Sequence, residues 1–393
     1  MEKRINILVE CLELIASVRV GVLEPLKPFV ENSKCNIVFK RTVDIRRKDI
    51  AWCDILICVR GSEQATLNIV EAAKKAGRFI IYFLDDDLLN IPDNISCSNY
   101  FLNPETRNCI IKCIEYSDVS WCVNNLIAKK YGVYSKNKWV VSRVPVEMEN
   151  VCLSKNTINI LYAGSVDHTE SVRKYIVPVV EKLHDEFMNV VTFTFIGVDP
   201  KLEELKNVTY IKYFDQYDEY KKFTKNGNFS IGLAPLNTGE FYKCKYYNKF
   251  IEYTSVGAVG VYSNSEPYTL IIEDGKNGFL CDNTFESWYD KLKYLILNQE
   301  VLENVFECAK DNIKNEFSYD EVASKLETDI KELISYKAPT IDYRKIKLIN
   351  SRFMFCISRV RQIWGSYKFR IVIILPYKVC KKVFKFLCGG KNY

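Results

Sequence analysis

Along the chain, short apolar runs alternate with longer periodic segments. In the first half the runs are Ile5–Val9, Cys35–Phe39, Ile55–Val59, Phe79–Phe83, Val119–Val123 and Trp139–Val141, each of strand length. Amphipathic stretches such as Ala65–Ala76 lie between them, and such intervals suit crossover helices joining parallel strands. A polar stretch, Pro145–Thr157, reads as a linker. Beyond it a second series runs Ile158–Ala163, Val190–Ile196, Val208–Ile211, Phe229–Ala234, Val259–Tyr262 and Phe279–Cys281. The pattern predicts an α/β chain of two Rossmann-like domains in tandem, residues 1–145 and 158–315. Val322, Leu326, Ile330 and Leu333 recur at helical spacing and predict a closing helix within 316–337. Residues 341–393 then form a basic, aromatic tail of helical periodicity.

Composition narrows the class. With 393 residues, 48% of them apolar and 26% charged, the chain can bury two cores, which excludes disorder, collagen and an all-membrane bundle. The net charge of +6 hides an asymmetry. Residues 341–393 hold thirteen Lys/Arg and one acid, Asp342, so this tail carries +12 and the rest of the chain −6. A nucleic-acid binder would spread its positive charge over the folded body, and no nucleic-acid partner is expected. The fifteen cysteines are scattered singly without C-x-x-C spacing, which argues against a metal or disulfide framework and for a reducing cytoplasm. The run Ile5–Val9 is soon interrupted by Glu10 and Glu13, unlike a signal peptide, and no stretch reaches 18 uncharged apolar residues.

The densest chemistry lies between Glu240 and Leu280. Lys245, Asn248, Lys249 and Glu252 are spaced to share one face of a helix, and Lys243, Lys245 and Lys249 gather at its expected start. A helix start repels cations unless an anion binds there, and a diphosphate would draw on both the amides and the ammoniums. Glu252 could accept hydrogen bonds from ribose hydroxyls. The other reading of these residues is a solvated helix face. Downstream stand the strand Ala258–Tyr262, the loop Ser263-Asn-Ser-Glu266-Pro267-Tyr268 and the turn Asp274-Gly-Lys-Asn-Gly278.

This block closely resembles the donor half of GT-B glycosyltransferases, the group-1 or family-four retaining kind, which carry a helix with a glutamate, a small-Gly-small strand, a loop and a D-G-x-N-G turn. The resemblance extends to Leu161-Tyr-Ala-Gly164-Ser165-Val-Asp-His168, similar to the family's glycine loop, and through Ser17-Val-Arg19 and Ile80–Asp87 to the first half. It implies that residues 1–145 form the acceptor domain and 158–315 the nucleotide-sugar-binding domain. It implies catalytic roles for Lys245 and Lys249, and donor-binding roles for Gly164, Ser165, Gly197, Glu252, Ser263, Glu266, Pro267 and Tyr268. It further implies a metal-independent hexosyltransferase without a cofactor, the nucleotide diphosphate sugar being its substrate. Two positions depart from the family: Cys244 stands where a first glutamate is common, and Ser165 where the glycine loop often has arginine. They keep open a catalytically silent binding subunit of the same shape.

Asp85-Asp86-Asp87 follows an apolar strand. It reads as an acceptor-side loop or, alternatively, as the D-x-D of a metal-dependent GT-A-like transferase using Asp85 and Asp87, or simply as a turn and helix cap. Arg19 and Arg60 each follow a strand and, with His168, complete the acceptor-side candidates. His184 reads as a helix surface residue. In the tail, Ile349, Phe353, Cys356, Val360, Ile363 and Trp364 form an apolar stripe with Arg352, Arg359 and Arg361 beside it, and Lys378–Leu387 repeats the theme. Such segments lie in membrane interfaces or pack back on the first domain. The expectation is a cytoplasmic enzyme, peripheral on the inner membrane face through residues 341–393, with a nucleotide-sugar donor and a glycan or lipid-linked acceptor.

Overall fold

The computed structural model describes residues 4–148, 153 and 158–366. They divide into two compact units, one comprising the chain to Asp93, Cys97–Val144 and the segment from Val322 onward, the other Asn94–Ser96 and Pro145–Glu321. Most of the polar stretch read as a linker, and the repeat Lys378–Leu387, lie outside the described residues.

The first unit is built on a parallel sheet of six strands: β1 (Ile5–Cys11), β2 (Cys35–Arg41), β3 (Ile55–Val59), β4 (Phe79–Leu84), β5 (Val119–Cys122) and β6 (Lys138–Val141), in the order β2-β1-β3-β4-β5-β6. The second unit has its own: β7 (Ile158–Ala163), β8 (Val191–Ile196), β9 (Val208–Ile211), β10 (Ile231–Ala234), β11 (Val259–Ser263) and β12 (Phe279–Cys281), in the order β12-β11-β10-β7-β8-β9. All ladders are parallel, as in Ile7 opposite Ile55 and Ile231 opposite Ile160. A parallel strand covered by helices on both faces reads as an unbroken apolar run, which explains why β3 is buried at every position. In the second unit, the core joins Ile160, Phe193, Phe195 and Val261 of the sheet to Val179, Leu183, Trp288 and Phe306 of the helices.

The expected closing helix is two helices, Tyr319–Asp329 and Glu332–Ser335. Its apolar stripe is buried as expected, with Ile330 in the break between them.

The tail helix Ser351–Ser366 lies on the first unit. Its buried face differs from the stripe read in the sequence. Phe355 packs with Val43 and Ala65, while Ile349 and Phe353 stand 54% and 61% exposed. The reason is the charged surface it covers. Arg359 reaches 2.8 Å to the fully buried carboxylate of Glu63 and lies over the rings of Tyr100 and Phe355. The Tyr100 hydroxyl donates to the same carboxylate at 2.7 Å. Arg352 donates to Asp44 at 2.7 Å. Nearby, the buried Glu10 accepts from Thr42 and Thr66, and burial pushes its carboxyl above the ordinary range.

Removing one partner of a buried ion pair leaves the other charge uncompensated. Arg359→Ala is therefore expected to cost about 2–3 kcal/mol of stability, below the full buried-pair figure because Arg359 keeps some solvent; chemical denaturation reads this out, and an unchanged midpoint would refute the pairing. For Glu10, a folded pKa above the unfolded one means that the native state holds the extra proton, so stability falls as pH rises through that interval. Glu10→Gln is expected to flatten this fall as pH rises above the ordinary glutamate range, and melting curves with the wild-type slope would show that Glu10 does not cause it.

Candidate functional site

In the second unit the strand order, with β7 central and β10 on its other side, puts a topological switch point between β7 and β10. At such a point the outgoing loops part and leave a crevice at the carboxyl edge. Gly164 follows β7 and Gly197 follows β8. Gly197 has φ +82°, and a Cβ there would lie 2.1 Å from the Gly164 carbonyl oxygen. The Gly164 amide donates to Ile196 and the Gly197 amide to Ile211, so this bare backbone is pinned. Ser165 continues the loop into a 3-10 turn, Val166–His168, and the His168 amide donates to the Ser165 carbonyl at 3.0 Å. His168 thus belongs to the glycine loop of the second unit.

The Asn248–Ser255 helix is held on the sheet by Tyr253, whose hydroxyl donates to the Leu233 carbonyl at 2.6 Å. Its ring fits only because β10 has Gly232 there, where a Cβ would lie 2.3 Å from the ring. The first turns of this helix carry Asn248, Lys249 and Glu252. Asn248 and Lys249 both donate to the Glu252 carboxylate, and Tyr220 from the helix Tyr217–Asn226 does so at 3.3 Å. Desolvation and the neighbouring Glu252 push the Tyr220 phenol well above its usual range and keep it a donor. Lys245 departs from the expectation. The helix starts at Asn248, so Lys245 lies in the preceding loop, its ammonium 4.8 Å from the centre of the Phe241 ring. The break follows from aromatic packing, since the Tyr246 and Tyr247 rings lie 4.3 Å apart and Tyr247 meets Phe317. Lys243, on the short helix Glu240–Lys243, is paired with Glu240, and Cys244 is fully buried.

The loop after β11 is largely structural. Ser263 is buried, accepts from the Leu236 amide at 2.8 Å and donates to Asn283 at 2.7 Å, tying three strand ends together. Pro267 and Tyr268 are buried, the Tyr268 ring against Tyr262, while Glu266 is half-buried. In the Asp274–Gly278 turn, Asp274 accepts from the Leu280 amide and buried Asn277 holds Ile271, Glu273 and Asn312.

In the first unit, the carboxyl edge separates the acidic triplet. Arg60, in the left-handed region at φ +52°, lies 2.8 Å from Asp85 and also pairs with Asp86. Asp87, 0% exposed, instead accepts from Lys130 at 3.0 Å, the Tyr131 hydroxyl at 2.9 Å and Asn90 at 2.8 Å. Asp85 and Asp87 thus face different partners, and Asp87 anchors the loop from within. Arg60 is committed to two carboxylates, while Arg19 is exposed at the π-turn Arg19–Leu23.

No protein-family model matches the chain, and no curated protein sequence matches it. Solved structures do. HepE of Anabaena in complex with UDP and glucose superposes with a TM-score of 0.61 at 12% identity, over 84% of this chain and 100% of that one. Sucrose-phosphate synthase from Thermosynechococcus elongatus gives 0.60 at 8% identity, over 84% and 99%. TarM gives 0.53 at 14% identity, over 70% of this chain, which spans only 54% of TarM. These neighbours are GT-B glycosyltransferases. The chain has the GT-B fold.

Within this GT-B chain the sequence reading missed Tyr220. Its signal was the aromatic spacing Tyr217, Tyr220, Phe223; the Tyr220 ring stacks on Tyr217 and meets Phe214 edge-on. Gly197→Ala is expected to destabilise the second unit by at least about 2 kcal/mol, through a disfavoured φ and a backbone clash. Thermal unfolding tests this, and a variant as stable as wild type would mean that the two loops do not pack so closely.

Proposed function

We propose that the protein is a glycosyltransferase that moves a sugar from a nucleotide diphosphate to a glycan acceptor. The observation that carries this reading is the Lys249–Glu252–Tyr220 cluster at the carboxyl edge of the second sheet, on the same unit as the bare Gly164 and Gly197 backbone. Glu252 offers carboxylate oxygens to ribose hydroxyls. The close-packed glycines let a nucleotide approach the main chain. A diphosphate competes with Glu252 for Lys249, and with Lys245 and the first amides of the Asn248–Ser255 helix it forms an anion site. In the reaction the bond from the sugar's anomeric carbon to the diphosphate oxygen breaks and one to an acceptor hydroxyl oxygen forms. The hydroxyl proton leaves towards the diphosphate, whose developing charge the lysines stabilise. Retention of configuration and metal independence are carried by the family resemblance. The first-unit carboxylates fit this reading, since Asp85 and Asp87 are held by different protein donors.

HepE binds UDP and glucose, which makes UDP the first nucleotide to test. The acceptor we propose is lipid-linked and the product a cell-surface polysaccharide, made on the cytoplasmic face of the membrane. Two features support this placing. Residues 341–393 carry +12, and Ile349 and Phe353 are exposed beside Arg352. Among the described residues no helix is long and apolar enough to cross a membrane.

Calorimetric titration with nucleoside diphosphates, followed by a sugar-nucleotide hydrolysis assay, tests the assignment. Glu252→Ala is expected to weaken nucleotide binding roughly tenfold, the worth of one or two charge-assisted hydrogen bonds. Lys249→Ala is expected to lower turnover roughly a hundredfold, comparable to losing one transition-state donor. Wild-type constants in both variants would remove the site. Binding without hydrolysis would favour a silent binding subunit, the reading that buried Cys244 keeps in view. Loss of activity in EDTA would favour metal-dependent transfer. Deleting residues 341–393 is expected to abolish co-sedimentation with anionic vesicles, and unchanged co-sedimentation would end the membrane reading.

A further inference from the structure

A second basic site lies in the first unit, where the segment after β2 meets the start of the tail helix. There a cavity of about 420 Å³, within the range of about 300–1,000 Å³ usual for ligand clefts, is lined by Arg46, Arg47, Leu348, Asn350, Ser351 and Arg352. Three independent features converge on it. The first is charge. Arg46 and Arg47 are exposed, Arg352 turns one edge to the Val43 carbonyl and to Asp44, and Arg41 also reaches Asp44 at 2.8 Å and Glu13 at 3.6 Å. Three arginines, Arg46, Arg47 and Arg352, thus line the cavity and no lining residue is acidic, an excess of positive charge in so small a volume.

The second feature is the start of a helix 16 residues long. Asn350 takes the Phe353 amide at 3.2 Å, and the other first-turn amides belong to the set that no helix satisfies internally. The third is Ser351. It is 2% exposed, it lines the cavity, and among the described residues its hydroxyl has no hydrogen-bond partner. A buried hydroxyl without a partner is costly in an empty site and useful in an occupied one.

We propose that this cavity binds a phosphoryl group. Arg46 and Arg47 supply planar donors matched to its oxygens, the Ser351 hydroxyl donates from the wall, and the helix start adds amides. The exposed Ile349 and Phe353 belong to the same segment as Leu348–Arg352, which suits a phosphate at the end of an apolar chain. The same chemistry would hold a soluble phosphorylated ligand. The site is separate from the nucleotide site of the second unit and stands whether or not that assignment holds.

Inorganic phosphate is titrated into the full chain with UDP in excess, comparing wild type with Arg46→Gln/Arg47→Gln and with Ser351→Asp. The double variant changes exposed side chains and is expected to keep its fold and its basal activity. Its phosphate affinity is expected to fall at least about tenfold. Ser351→Asp, which brings a carboxylate into the cavity, is expected to abolish the same binding. Phosphate affinity within about twofold of wild type in the double variant would overturn the proposal, whatever happens to UDP binding. Co-sedimentation with phosphatidic acid in phosphatidylcholine vesicles, against phosphatidylcholine alone, identifies the source. If the double variant loses both phosphate and vesicles, the group is a lipid headgroup; if it loses phosphate alone, the ligand is soluble.

Discussion

Parallel pairing of strands buried on both faces is the constraint on which everything else rests. Strands such as Ile55–Val59 have no polar face to give to solvent, so helices must cover both sides and every connection must cross back over the sheet. Each strand therefore ends at the same edge. Residues far apart in sequence, such as Gly164 and Gly197 in one unit or Arg60 and Asp85 in the other, are gathered there without any further device. The reversal of strand order between β7 and β10 adds the crevice. The chemistry is then a matter of what each loop carries.

Within that frame the two edges are built differently. The second unit keeps its backbone bare where Gly164 and Gly197 meet and places one charged cluster beside a helix start, while Ser263 and Asn277 fasten the surrounding loops from inside. The carboxyl edge of the first unit spends its charges on itself. Arg60 is neutralised by Asp85 and Asp86, Asp87 is buried under Lys130, and Glu63 is neutralised by Arg359. This difference is why a nucleotide reading attaches to the second unit.

Much of this was legible in the sequence because apolar runs and helical spacing are local signals. Among the described residues, all twelve strands stand within a few residues of where the runs place them, and Lys249 and Glu252 share a helix face as their spacing requires. What was not legible depends on distant partners. The helix bearing Glu252 starts after Lys245 because Tyr247 packs on Phe317, some seventy positions on. The tail helix buries Phe355 in place of Phe353 because the surface beneath it offers Val43, Ala65 and a buried carboxylate, and a charged surface selects Arg359 as much as it selects an apolar ring. Glu10 lies inside an apolar strand run, and nothing local marks it as a buried carboxyl held by Thr42 and Thr66.

The central claim is that a nucleotide diphosphate sits on the carboxyl edge of the second unit. Hydrogen–deuterium exchange with and without UDP tests it most directly, since it reports where protection arises and does not depend on knowing the sugar or the acceptor. Protection is expected at residues 163–168, 196–198 and 248–252. Protection confined to the first unit, or none at saturating UDP, would contradict it.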